Sequence, residues 1–251
     1  MSDLRRIGVV GRGRLGTALS EALAVAGLDV AGPAGRGEVP GGADAIVLCV
    51  PDAEIGAAAA SAAGAAPLIG HTSGATPLGA LEPAGAARRF GIHPLQTFSG
   101  SAGDAARFRG CRCAIGGSDA QALAAAEEIA RVLDMEPFEL ADEQRPAYHA
   151  AASIASNFLV ALEAAAEEVA AGAGLEPVEA RAALAPLVRT TVENWAALGP
   201  ERALTGPVAR GDDLTVAAQR EAVRRTAPQL EALFDVMVER AQAIARAKVP
   251  A

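Results

Sequence analysis

The chain has 251 residues, enough for one large domain or two small ones, and 51% are apolar, so a sizeable core is available. Aromatics are only 3%, so much of that core must come from helices packed through small side chains, alanine above all. A net charge of −8 and a pI of about 5.0 argue against nucleic acid or an acidic membrane as the main partner.

A short apolar run over 7–10 predicts a buried strand. Gly11, Gly13 and Gly16 follow at the spacing G-x-G-x-x-G, and 17–26 predicts a helix with Leu15, Ala18, Leu19, Ala22, Leu23 and Ala26 on one stripe. Strand, glycine turn and helix together form the context of a dinucleotide-binding fingerprint. Gly11 permits the tight turn, Gly13 lets a pyrophosphate approach the backbone, and Gly16 lets helix and strand pack closely. The free N–H groups and dipole of the first helical turn would hold the phosphates.

Gly27 reads as the helix stop, and 28–31 as a second strand. No acid stands at that strand's end to bind a ribose 2′-hydroxyl, as an NAD site requires. Arg36, twenty positions past Gly16, and Arg12 could instead pair with a 2′-phosphate, which favours NADP with NAD as the alternative. Glu38 is the rival acid, and Arg36 could also be a plain solvated loop residue.

The near-continuous apolar run 44–50 predicts a strand buried on both faces, ending at Val50-Pro51-Asp52. A short helix over 54–61 follows. Further strands are predicted over 68–71, ending in His71-Thr72-Ser73-Gly74, and over 90–93, ending in His93-Pro94-Leu95-Gln96. Strands over 111–115 and 137–140 flank an alanine-rich helix over 120–133. This alternation implies an α/β fold with a Rossmann-like, mostly parallel sheet. The three cysteines lack a second ligand pair, so free thiols in a reducing compartment are expected and no metal. The alanine-rich run 57–66 is too short to span a bilayer, and the N-terminus lacks a signal-peptide pattern, so a cytoplasmic protein is expected.

Composition changes at about Glu143, after which no strand is predicted. That gives a dinucleotide-binding domain over 1–142 and an all-helical domain over 143–251. The helical part reads as one long helix over 147–171, about 25 residues or roughly 37 Å. Gly172 and Gly174 stop it. A helix over 177–194 follows, kinked at Pro186, then a loop over 204–213, a helix over 214–226 capped by Asp212 or Asp213, and a last helix over 228–248.

Taken together, Gly11-x-Gly13-x-x-Gly16, Val50-Pro51-Asp52, His71-Thr72-Ser73-Gly74, His93-Pro94-Leu95-Gln96, Tyr148-His149-Ala150-Ala151-Ala152 with Asn157, and the stretch Leu204 to Asp212 resemble one bacterial family. Its members carry a Rossmann-like domain followed by a helical domain of unknown function. The layout is similar to pyrroline-5-carboxylate reductase, ketopantoate reductase, prephenate dehydrogenase and other members of the 6-phosphogluconate dehydrogenase-like superfamily. The resemblance implies an NAD(P)-dependent reductase or dehydrogenase, dimeric through its helical domain, and implies no particular substrate. Two departures matter. The lysine that ketopantoate and β-hydroxyacid enzymes use has no counterpart here, since the chain's one lysine is Lys248. The hydroxyl-rich helix of pyrroline-5-carboxylate reductases is not evident either. His93-Pro94-Leu95 is similar to the His-Pro-Met of prephenate dehydrogenases.

Hydride transfer to C=O or C=N needs a proton donor, and histidine titrates near neutrality. His149 is the first candidate for acid/base work, with Asn157 orienting and His93 as a second catalytic candidate. His149, Ser153 and Asn157 form a polar line on an alanine-rich helix, which faces either the cofactor and substrate or solvent. Arg210 could hold a substrate carboxylate or pair with Asp212 or Asp213. Tyr148 is a possible donor that points to a different face from His149. The expected cofactor contacts are Gly11, Arg12, Gly13, Arg14, Leu15, Gly16, Arg36, Val50, Pro51, His71 and Ser73, with Ser153 and Arg210 on the substrate. His71 and Ser73 could equally be turn chemistry. The expected activity is hydride transfer to or from a small carbonyl or imine, a carboxylic acid in the favoured case. A non-catalytic NADP-binding sensor is the alternative, and a structural dimer with a vacant dinucleotide fold is a third reading.

Overall fold

The structure, a computed structural model, describes residues 4–247. Its internal contacts divide the chain into two units, Met1–Ser156 and Asn157–Ala251.

The first unit is built on a seven-stranded sheet. Its strands are β1 (Arg6–Val10), β2 (Asp29–Ala34), β3 (Ala45–Leu48), β4 (Leu68–His71), β5 (Arg88–Pro94), β6 (Arg112–Gly117) and β7 (Glu136–Glu139), in the order β2-β1-β3-β4-β5-β6-β7. Every neighbouring pair is parallel except β5 with β6. Residues 95–111, which join β5 to β6, carry a short 3-10 turn, Asp104–Phe108, and no α-helix. The fold class is the α/β, mostly parallel arrangement that the alternation implied.

Helices α1 (Arg14–Val25) and α3 (Ala120–Val132) cover one face of the sheet, and α2 (Ile55–Ser61) covers part of the other. All four residues of β3 are buried, as expected of a strand covered on both faces. In α1, Ala18, Leu19, Ala22 and Leu23 are buried, while Ala26 caps the helix and is exposed. Two strand ends differ from expectation. β2 runs three residues further, through Gly32 and Pro33 to Ala34, so Arg36 stands two residues past its end. Asp44 lies outside β3 because its carboxylate accepts the N–H groups of Arg5 and Arg6, both at 2.8 Å, which lowers its pKa.

The helix predicted over 147–171 is interrupted. α4 (Arg145–Ala155) ends at Ser156, whose φ of −120° and ψ of −72° leave the helical region, and α5 (Asn157–Ala170) starts afresh. Serine and asparagine side chains compete with helical backbone bonds, so this pair is a natural break. The units also part here, fourteen residues after the change in composition at 142/143. The reason is that α4 packs on the sheet through Arg145 and Tyr148, described below.

The second unit continues with α6 (Pro177–Leu198), α7 (Pro200–Ala203), α8 (Gly206–Arg210), α9 (Asp213–Thr226) and α10 (Glu231–Ala247). The predicted loop over 204–213 therefore contains a helix, α8. Pro207 suits its first turn, and the left-handed Gly211 ends it. Asp212 caps α9, accepting from Thr215 N–H at 3.1 Å and Thr215 Oγ1 at 2.7 Å. Lys248, the predicted end of the last helix, lies outside the described residues. Among the described residues of this unit, Ala180, Val216, Val223, Ala227 and Val238 are the buried apolar ones, whereas Phe158, Val160, Val178, Leu187, Trp195 and Leu214 are exposed. One helical run among the described residues, Asp142–Ala173, is long and apolar enough to cross a membrane by length and composition, with a mean hydropathy of 1.2.

Candidate functional site

The three glycines after β1 meet different surroundings. Gly11 has a φ of +115°, and a Cβ there would lie 2.1 Å from the Cys49 carbonyl oxygen. A Cβ on Gly16 would lie 2.0 Å from the Gly11 carbonyl oxygen. The fold itself demands both glycines. Gly13 is different: its backbone is extended (φ −72°, ψ 178°), and a Cβ would meet nothing within 4 Å. No contact among the described residues requires a glycine there. Gly13 also stands at the N-cap of α1 with no side-chain cap, so the first N–H groups of that helix lack side-chain acceptors.

A cavity of about 620 Å³ opens over this turn, lined among others by Gly11, Arg12, Gly13, Arg36, Val50 and Pro51. Six of the eleven expected cofactor contacts thus share one wall. The other five, Arg14, Leu15, Gly16, His71 and Ser73, do not line it. Arg14 lies along Gly100, where a Cβ would come within 3.2 Å of its Cγ, and Leu15 packs against the core. The two arginines expected to meet a 2′-phosphate each face a carboxylate. Arg12 Nη2 donates to Glu38 Oε2 at 2.7 Å and Arg12 Nε to the Pro33 carbonyl at 3.2 Å, while Arg36 Nη2 lies 3.2 Å from Glu54 Oε1.

His71 and Ser73 serve the protein interior. Ser73 Oγ accepts the N–H groups of Ala75 (3.2 Å) and Thr76 (2.9 Å) and bonds Thr76 Oγ1 (3.0 Å), so its hydroxyl closes the turn. His71 is fully buried, and its Nδ1 accepts the Ser73 N–H at 3.2 Å, which assigns the ring hydrogen to Nε2. Nε2 finds no partner of good geometry. Burial, helped by the charge of Arg145, pushes the His71 pKa down to about 4.

Arg145 anchors the second half of the site. It is a buried cation at the start of α4. Its Nε donates to Asp142 Oδ1 at 2.6 Å and its Nη1 to the Ser73 carbonyl at 3.3 Å. The guanidinium lies over Gly91 and Gly116, paired across β5 and β6; a Cβ on either would come within 3.1 and 3.4 Å of Nη2. One turn further along α4, Tyr148 reaches the same face of the sheet. Its hydroxyl and His93 Nδ1 are 2.7 Å apart, with the rings edge to face at 5.4 Å. Phe138 closes the other side of the phenol at 5.9 Å. The His93 ring also rests on Gly74, where a Cβ would sit 2.8 Å from two ring atoms.

His149 lies 6.2 Å from His93, centroid to centroid, so two of the three histidines flank one place at the carboxyl edge of the sheet. Burial, then the neighbouring His149 and Arg145 charges, hold the His93 pKa down at about 4, and burial raises that of Tyr148 to about 12. The His93–Tyr148 pair is therefore neutral at pH 7. The His93 ring lies beside both neighbouring aromatic side chains of α4, Tyr148 and His149. Ser153 follows one turn after His149 and is half-buried. The polar line His149, Ser153, Asn157 does not run along one helix, because Asn157 starts α5 in the second unit. Arg210 also belongs to the second unit, at the end of α8. Thr215 holds the Asp212 carboxyl below its ordinary pKa, with the charge of Arg210 contributing less.

Sequence reasoning passed over Arg145, Asp142 and the glycines Gly74, Gly91 and Gly116. A lone arginine three residues before Tyr148, at the head of an alanine-rich helix, was the available signal. Among the described residues no group of three or more His, Cys, Asp or Glu could hold a metal, and all three cysteines are free thiols.

The family described as Domain of unknown function (DUF2520) matches residues 111–241. Among proteins of curated function none matches. Solved structures do. A protein of Bacteroides fragilis assigned as an NADP oxidoreductase superposes with a TM-score of 0.78 at 22% identity, over 95% of this chain and 98% of its own. Protein TM1727 of Thermotoga maritima gives 0.76 at 25% identity, over 96% and 99%. Pyrroline carboxylate reductase of Plasmodium falciparum, solved with NADP bound, gives 0.59 at 13% identity, over 98% and 99%.

Proposed function

Starting from a chain that belongs to the DUF2520 family, we propose that this protein is an oxidoreductase preferring NADP over NAD. The observation that carries the proposal is Gly13. Nothing among the described residues needs a glycine there, and the position opens on a cavity beside uncapped helical N–H groups and two arginines. Gly11, Gly13 and the first turn of α1 would hold the diphosphate, Val50 and Pro51 the adjoining wall, and Arg12 with Arg36 the 2′-phosphate. The nicotinamide supplies or accepts the hydride. A protein assigned as an NADP oxidoreductase and a reductase solved with NADP bound, both of the same fold, are consistent with this reading.

The substrate is a small carbonyl or imine, a carboxylic acid in the favoured form. His149 is the acid/base, and His93, held by Tyr148, is the second candidate. Ser153, one turn after His149, contacts the substrate. The protein works in the cytoplasm. NADPH oxidation across a panel of 2-oxo acids and cyclic imines tests the activity. Turnover of at least one member is expected, with His149→Ala lowering it on the order of a hundredfold or more. The absence of any lysine before Lys248 favours one second reading, a sensor that binds NADP without catalysis. Tight NADPH binding with no turnover of any member would decide for it.

The helical unit forms a homodimer. Among the described residues of this unit the exposed large apolar side chains, Leu214, Val178 and Val160 at 86%, 75% and 70% among them, outnumber the buried apolar ones, which supports a covering partner. Light scattering after gel filtration should report twice the 25.2 kDa chain mass. A monomer at micromolar concentration would contradict the dimer.

A further inference from the structure

Resting on that cofactor reading, we propose that Glu38 is a resident competitor for the 2′-phosphate: its carboxylate occupies the anion site that Arg12 and the Gly35 N–H form, and its charge, as well as theirs, sets the preference for the phosphorylated dinucleotide. One oxygen, Glu38 Oε2, accepts both the Gly35 N–H and Arg12 Nη2, each at 2.7 Å. A backbone N–H and a guanidinium converging on one oxygen are what a phosphate oxygen takes from a protein. The arrangement is fitted closely at Gly35, where a Cβ would lie 3.2 Å from both Arg12 Nη1 and Glu38 Oε2. Arg12 is tethered from behind by the Pro33 carbonyl, so its fork faces the site with or without Glu38. All three residues line the cavity that opens over Gly13.

The pair is exposed, at 64% and 58% for the two side chains, so the carboxylate is held weakly and can be displaced. A bound 2′-phosphate carries nearly two negative charges, and a carboxylate left within a few ångströms repels it. The ribose of NAD carries a neutral hydroxyl there, which the carboxylate does not repel. Glu38 therefore narrows a selectivity that Arg12 and Arg36 would otherwise widen. Arg36 and Glu54 form a looser pair on the same cavity, at 3.2 Å.

The test is calorimetry of NADPH, NADH, 2′-AMP and 5′-AMP with the wild type, Glu38→Gln, and Arg12→Ala combined with Glu38→Gln. Glutamine keeps an oxygen for the Gly35 N–H and removes the charge. Glu38→Gln is expected to tighten NADPH and 2′-AMP on the order of tenfold at low salt, as expected for one charge removed beside a phosphate near the surface. NADH and 5′-AMP should hold their affinities, and the double variant should lose the gain. Unchanged NADPH affinity in Glu38→Gln, or weakened NADH binding, would overturn the inference and make Glu38 a ribose ligand. Failure of either dinucleotide to bind any of the three proteins would instead overturn the cofactor reading beneath it.

Discussion

Gly13→Ala is expected to leave the fold intact and to weaken NADPH binding by about a hundredfold, or ~2.7 kcal/mol. The neighbouring substitution Gly16→Ala is expected to damage the fold itself. A methyl group on Gly13 meets no protein atom within 4 Å, and alanine adopts the backbone angles there without strain. It would, however, stand where the diphosphate must approach the backbone and the first N–H groups of α1. A methyl group on Gly16 would lie 2.0 Å from the Gly11 carbonyl oxygen, so β1 and α1 would have to separate. Overpacking of that severity costs more than about 3 kcal/mol. Urea denaturation and calorimetry on both variants separate the two effects. Equal loss of stability, or undiminished NADPH affinity in Gly13→Ala, would contradict the assignment.

Arg145→Met is expected to destabilise the first unit by about 1–3 kcal/mol, the cost of leaving hydrogen-bond partners of a buried group unsatisfied, since the carboxylate left behind is partly in solvent. Arg145 is 2% exposed, and its loss strips Asp142 Oδ1 and the Ser73 carbonyl of their donor. Methionine fills part of the volume above Gly91 and Gly116 but supplies no hydrogen. Arg145→Lys should recover only part of the loss, because an ammonium cannot reach both acceptors in the planar fork of a guanidinium. Urea denaturation reads both variants. Loss of less than about 1 kcal/mol in Arg145→Met would mean that the guanidinium is not what fastens α4 to the sheet.

The dinucleotide half of the fold was legible because its signals are local. A glycine triplet between an apolar run and an alanine stripe, and short apolar runs ending in turn residues, each report on a few adjacent positions. What the sequence concealed depends on long-range packing. Whether β6 lies parallel or antiparallel to β5 turns on how residues 95–111 connect, and that stretch has no periodicity to declare it. Arg145 looked like any charged residue at a helix start, and only the pairing of Gly91 with Gly116 makes a berth for it. That berth moves the parting of the units to Ser156, well past the compositional change at 142/143. The histidines were legible as candidates, since strand-end loops at the carboxyl edge are where such groups gather. That His93 engages Tyr148, and that His71 is sealed inside, follows from side-chain alternation on β5 and β4 relative to α4. Motif spacing carries no such information. Glu38 stood out in the sequence as a rival acid to Arg36, but its pairing with Arg12, and that of Glu54 with Arg36, follow only from the fold.

The account depends on a dinucleotide diphosphate resting on the backbone just past β1. Amide hydrogen exchange with and without NADPH measures this directly, segment by segment. The predicted result is strong new protection confined largely to residues 11–16 and the cavity wall at 49–51, present in the wild type and absent in Gly13→Ala. Unaltered exchange at 11–16 in the presence of saturating NADPH would contradict it.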